Sequence, residues 1–189
     1  EMNPQIVYGE DVVSRIQYVI TEPDGLQLLH QTIITGLNKL IASAARDAGI
    51  AAEDVAEIVL VGNSTMHHTV LNLHPRYLGV APFVPAIHRS VDVKARDLGI
   101  AINPSGNVHV LPTIASFVGA DTSALILAEA PHRQDEVWLL IDVGTNGELV
   151  LGNRERLVCT STPTGPAMEG AHVEYGMRAA RGAIERVHI

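Results

Sequence analysis

The sequence has 189 residues, of which 47% are hydrophobic, 18% charged and 4% aromatic, and its formal net charge is −8. Its 13 Lys and Arg are scattered, which argues against a nucleic-acid surface, and no uncharged apolar stretch approaches the ~20 residues that span a bilayer. The single Cys159 rules out an internal disulfide or a Cys-built metal or iron–sulfur site, and a reducing cytoplasm fits best.

In chain order, Val12, Val13, Ile16, Val19 and Ile20 recur at helical spacing and predict a helix with that stripe toward the core. A second helix carries Leu26, Leu29, Ile33, Leu37, Leu40, Ile41 and Ala44 on one face and stops at Gly49. After a turn around 52–56, the β-branched run 58–61 reads as a strand buried on both faces. Gly62 breaks it, and Asn63 or Ser64 caps a helix that ends before Pro75. Residues 76–106 are punctuated by Pro and Gly and read as a long insertion. A strand over 108–111 stops at Pro112, a turn follows over 116–121, and Asp121 with Thr122 or Ser123 caps a helix through Ala130. Pro131 to Asp135 is a polar break and the candidate domain boundary. Three strands follow over 137–141, 148–151 and 156–160, with Gly152 and Asn153 as a tight turn between the last two. Strands with intervening helices predict an α/β fold, helices covering a mixed sheet.

The most informative stretch is 138–149, where an apolar run ends on Asp142 and a turn of Gly144, Thr145, Asn146 and Gly147 leads to Glu148 and a second apolar run. Glycines there let backbone N–H groups approach an anion, Thr145 adds a hydroxyl, and Asp142 can hold a hydrated divalent cation. An ordinary glycine-turn hairpin accounts for those few residues equally well.

That turn, together with 61–66 and the segment Phe117 to Asp121, resembles the acetate and sugar kinase, heat-shock chaperone and actin (ASKHA) superfamily. More narrowly, the chain resembles the ATP-dependent reductive activators of corrinoid proteins. The residues that carry this are Asn3, Pro4 and Gln5, the stretch Tyr8 to Ile16, Gly62 to His68, Ile102 to Pro104, Leu111 to Asp121 and Gly165 to His172. The resemblance covers essentially the whole chain. It implies an RNase H-like, actin-like ATPase fold of which this chain holds an incomplete two-lobed part. Residues 1–134 would be the later part of lobe one, with the insertion at about 76–106, and residues 135–189 the opening hairpins of lobe two. The first residue is Glu1, and the chain is expected to be a piece of a longer protein.

The resemblance also implies roles. Gly144, Thr145, Asn146 and Gly147 would donate N–H groups to the β- and γ-phosphates of ATP, and Asp142 would bind Mg²⁺ through water or orient the attacking water. Gly62, Asn63 and Ser64 would sit where the lobes meet, although a helix cap after a strand explains them too. Asp121 would be a second carboxylate on the cleft or simply a cap. Glu148 would reinforce the metal or stand solvated at a strand edge. Gly165, Pro166, Glu169 and Gly170 would shape the cleft floor or touch the corrinoid protein. A 2Fe–2S cluster is expected only in an N-terminal ferredoxin domain outside this sequence, and the adenosine pocket downstream, so the segment alone should bind ATP weakly or not at all. The partner would be a corrinoid protein returned from Co(II) to Co(I). Pairing of chains through exposed sheet surface is a further expectation. A small-molecule kinase and a non-catalytic nucleotide-binding or interaction module remain the alternatives. His67 and His68 are adjacent on a helix, hence roughly 100° apart, so one buried and one exposed is expected, with no shared ion. Cys159 reads as a small apolar strand residue.

Overall fold

The computed structural model describes residues 2–9, 11–144, 146–164 and 182. A 3₁₀ turn over Pro4–Tyr8 leads to helix α1 (Val12–Thr21) and then α2 (Gly25–Ala48). Strand β1 (Glu57–Leu60), α3 (Ser64–Val70), β2 (Val91–Lys94), the single turn α4 (Ala95–Leu98), β3 (Asn107–Val110) and α5 (Ala120–Glu129) follow. The chain then forms β4 (Trp138–Val143), β5 (Asn146–Gly152) and β6 (Leu157–Pro163). Among the described residues no helix is long and apolar enough to cross a membrane.

Local chemistry sets the helix ends. Asp11 accepts from the Ser14 amide at 2.7 Å while the Ser14 hydroxyl accepts from the Asp11 amide at 3.0 Å, a reciprocal box that starts α1. The predicted stripe is wider than its contact. Ile16 and Val19 are buried, Val13 and Ile20 are exposed, and Arg15 takes a buried place that no apolar count would assign it. α2, about 36 Å long at 1.5 Å per residue, ends where Gly49 and Ile50 donate to the carbonyls of Arg46 and Ala45.

The strands form two three-stranded sheets. In the first, β3 lies in the middle, parallel to β1 and antiparallel to β2. One face of this mixed sheet meets α2 in a core of Ile34, Val70, Ala95, Leu98, Ile100, Ile102, Val108 and Val110, with Ile33, Leu37 and Ile41 packed against it. β1 is an edge strand buried on one face only, a correction to the expected two-sided burial. Ile58 and Leu60 face the core, whereas Val59 is 58% exposed. The stretch 76–106 is not a structureless excursion, since it supplies β2 and α4. Lys94 fastens that part by donating to Asn107 Oδ1 at 2.8 Å and the Ser105 carbonyl at 3.0 Å.

The second sheet is the antiparallel meander β4–β5–β6. Its two-residue turn is also corrected: residues 153–156 form a four-residue loop closed by the Asn153 amide on the Arg156 carbonyl, 3.0 Å, and shaped by Asn153 Oδ1 accepting from the Glu155 amide, 3.1 Å. Leu140 and Val150 are buried on one face. The alternate residues Leu139, Ile141, Val143, Leu151 and Val158 stand exposed on the other.

Candidate functional site

Four separate segments converge on one cleft of about 190 Å³. Register explains the first group. Asp142 and Glu148 are direct cross-strand partners, and Glu148 is in turn opposite Ser161, so the three side chains share the face that carries Leu140 and Val150. Ser161 donates to Glu148 Oε1 at 2.9 Å. Two like charges directly opposed across an antiparallel pair are unfavourable by themselves.

Asp121 enters from the first turn of α5. Gly119, not Asp121, is the N-cap residue of that helix, and the Asp121 carboxylate accepts from the Thr122 amide at 2.9 Å. The capping expectation for Asp121 is therefore corrected, and its side chain lines the cleft instead. The start of α5 is locked to the loop after β1: Ala120 donates to the Gly62 carbonyl at 3.0 Å, and a Cβ on Gly119 would stand 2.6 Å from the Asn63 Cα. No larger residue fits there.

Asn63 caps α3 by accepting from the Met66 amide at 2.9 Å and lines the cleft. Gly62 and Ser64 do not reach it. Gly62 lies beside a smaller, apolar cavity of about 90 Å³ together with His67 and Met66, and the buried Ser64 hydroxyl is held by the Ala115 carbonyl at 3.2 Å.

At the hairpin, Gly144 and Asn146 line the cleft, while Gly147 is buried in the ladder between Val143 and Thr162. The Gly144 amide already donates to the Asn146 carbonyl at 2.9 Å, and the Thr164 hydroxyl donates to the Gly144 carbonyl at 2.8 Å. Thr145 lies outside the described residues, as do Gly165, Pro166, Glu169 and Gly170.

Electrostatics marks this cleft out. Burial pushes the Asp121 carboxyl above the ordinary aspartate range, the Asp142 carboxylate adds to the shift, and the Thr122 amide opposes it. Burial likewise raises Glu148, reinforced by Asp121 and Asp142 and opposed by Ser161. Carboxyl groups raised by burial and by neighbouring negative charge are typical of sites that take a cation or a proton. Among the described residues no three His, Cys, Asp or Glu side chains stand close enough to hold a bare metal ion. The donor set fits hydrated Mg²⁺, which keeps several waters and takes one or two carboxylates.

The cleft is also lined by Asp11, the N-cap of α1, and by Arg15 within that helix, to neither of which the sequence reading gave a role in the site. Both histidines of α3 are buried, at 2% and 1% exposure, so the expectation of one exposed ring fails. α3 is enclosed on several sides at once. His68 is held as a neutral ring, Nδ1 donating to the Ser64 carbonyl at 2.7 Å and Nε2 accepting from the Ala86 amide at 2.9 Å. His67 has no partner for either nitrogen among the described residues, and burial, aided by His68, pushes it down to about 4.

Residues 1–134 match the family model for the RACo middle region, and residues 136–189 match that for the C-terminal domain of RACo, the ASKHA domain. The chain belongs to the RACo family. As the motifs implied, RACo-family relatives include the corrinoid activation enzyme RamQ of Eubacterium limosum, 41% identical over 186 residues that cover 98% of this chain and 31% of that protein. A Methanosarcina barkeri protein described as [Co(II) methylated amine-specific corrinoid protein] reductase is 40% identical over 77 residues, covering 41% of this chain and 14% of that protein. The solved structure of a reductive activator for corrinoid, iron-sulfur protein superposes with a TM-score of 0.88 at 41% identity, covering all of this chain and 30% of that one. The mixed α/β architecture is that of a RACo-family ASKHA protein, and this chain spans about a third of the length of its fuller matches.

Proposed function

We propose that this chain supplies the phosphate-handling cleft of an ATP-driven reductive activator that returns a Co(II) corrinoid protein to Co(I) in the cytoplasm. The observation that carries the reading is the convergence of Asn63, Asp121, Asp142, Asn146 and Glu148, from segments far apart in sequence, on one cleft in which burial pushes the Asp121 and Glu148 carboxyls up. The relatives' names support the substrate. Residues 1–134 would form the later part of one lobe and 135–189 the opening hairpins of the other, and closure of the two around nucleotide would be sensed through the Gly62–Asn63–Ser64 connection.

Within this reading Mg²⁺ supplies charge neutralisation for the polyphosphate, and Asp142 holds it through water. The hairpin of Gly144, Thr145, Asn146 and Gly147 directs N–H groups at phosphate oxygens. For Gly144 this means exchanging the Asn146 carbonyl for a phosphate oxygen, a small change in an exposed turn. Asp121, more basic than an ordinary aspartate, is suited to take the proton of the attacking water. The adenosine pocket and a 2Fe–2S electron carrier lie elsewhere in the full-length protein. The exposed face of Leu139, Ile141 and Val143 supports pairing of the isolated segment with a second copy.

The test is the absorbance of the corrinoid cofactor under a low-potential reductant with the full-length protein. Co(I) should accumulate only with Mg²⁺ and ATP together. Equal accumulation without nucleotide would contradict the reading.

A further inference from the structure

A guanidinium taken out of water without a carboxylate partner is costly, and proteins seldom keep one without use for it. Arg15 is such a group. It is 6% exposed, and it makes no ion pair with any Asp or Glu among the described residues. Its Nε donates to the Gly9 carbonyl at 3.0 Å, and among the described residues neither terminal nitrogen of the fork makes a hydrogen bond. Arg15 lines the cleft.

The surroundings hold the arginine and offset its charge only in part: burial works against the charged form, and the Asp11 carboxylate one turn back favours it. Asp11, its neighbour one turn back, directs Oδ1 to the Ser14 amide and the Ser14 hydroxyl, both at 2.7 Å. Gly9 is required where it stands, because a Cβ would lie 2.8 Å from both the Arg15 amide nitrogen and the Ser14 hydroxyl. The cap box and the glycine thus fix the root of α1 and the direction of the guanidinium. Across the cleft stand Asp121, Asp142 and Glu148. With Asp11 that makes, among the described residues, four carboxylates against one cation, a formal lining of −3. Such a lining disfavours a phosphate unless positive charge meets it, and among the described residues Arg15 is the cation that the cleft's lining provides. Its planar fork matches two oxygens of one phosphate, as a lysine's point charge does not.

We propose that Arg15, aimed by Gly9, is an oxyanion subsite of this cleft that grips the terminal phosphate of a nucleoside triphosphate and so separates triphosphate from diphosphate. The proposal rests on the reading of the cleft as a nucleotide phosphate site and adds its selectivity.

The test compares ATP and ADP affinity by calorimetry, and ATP hydrolysis, in the full-length protein carrying Arg15→Gln, Arg15→Lys or Asp142→Asn. Arg15→Gln should weaken ATP by at least about 10-fold with ADP changed less than about twofold, and lower hydrolysis by about 10²-fold. Free guanidinium ion should restore part of that hydrolysis, which a merely structural role would not allow. An unchanged ATP-to-ADP ratio in Arg15→Gln overturns the subsite. If Asp142→Asn still loses hydrolysis in that case, the nucleotide reading stands; if it does not, both fail. Should thermal melting show that Arg15→Gln is unfolded, Arg15→Lys decides. Its ammonium is a single point charge without the planar fork that spans the Gly9 carbonyl and two phosphate oxygens, so hydrolysis at the unsubstituted rate would overturn the proposal.

Discussion

The carboxylates of the cleft set function against stability. Asp142 and Glu148 face each other on neighbouring strands, and Asp121 adds a third charge. Because the folded state holds protons on Asp121 and Glu148 more tightly than the unfolded chain does, the sign of the linkage is fixed. Their contribution to stability falls as pH rises from the ordinary carboxylate range through the raised values, and it stays lost at neutral pH. Asp142→Asn should therefore raise stability by about 0.5 kcal/mol in urea titration at pH 7, the scale of relieving one like-charged cross-strand pair, with the gain shrinking as the pH falls through the raised value of Glu148. A loss of stability would show that the pair is held by something other than a cation to come. His67 acts in the opposite direction. Its folded value of about 4 lies below that of a free imidazole, so stability present above pH 6.5 drains away as the pH falls toward 4. His67→Gln should flatten that acid limb of a melting-temperature profile, and an unaltered limb would assign the acid sensitivity elsewhere.

Elements differ in how far their sequence foretold them. α2 was legible because its apolar spacing runs for six turns and ends on Gly49, so a few exceptions such as the exposed Leu40 do not blur it. The hairpin at Asp142 was legible for the same reason, two apolar runs about a glycine turn. β2 and α4 were not, since four-residue elements among prolines carry too short a period to stand out. The one-sided burial of β1 depends on its place at a sheet edge, which a run of β-branched residues does not encode. Both histidines of α3 are buried because partners from distant parts of the chain surround that helix. Arg15 escaped because its burial comes from tertiary packing, and a charged residue inside an apolar stripe reads as solvent-facing. The contact between the α5 start and the loop after β1 yields its own prediction. Gly119→Ala forces a methyl group against the Asn63 backbone and should destabilise by about 2 kcal/mol, the scale of an overpacked site. A melt unchanged by that substitution would mean the two segments are not in register as described.

At the scale of the molecule, two small sheets meet across a cleft that neither could form alone. The first sheet, α3 and α5 place Asn63 and Asp121, and the meander brings Asp142, Asn146 and Glu148 to the same space. The exposed apolar face of the meander, opposite the cleft, is a surface that a larger protein or a second copy would cover. What the molecule is built to do therefore turns on whether that shared space handles phosphate. The most direct measurement is the ATP hydrolysis rate of the full-length protein with Asp142→Asn. Loss of one preorganised catalytic group should slow it by at least about 10²-fold while the fold stays intact by melting. Hydrolysis within twofold of the unsubstituted protein would contradict the account.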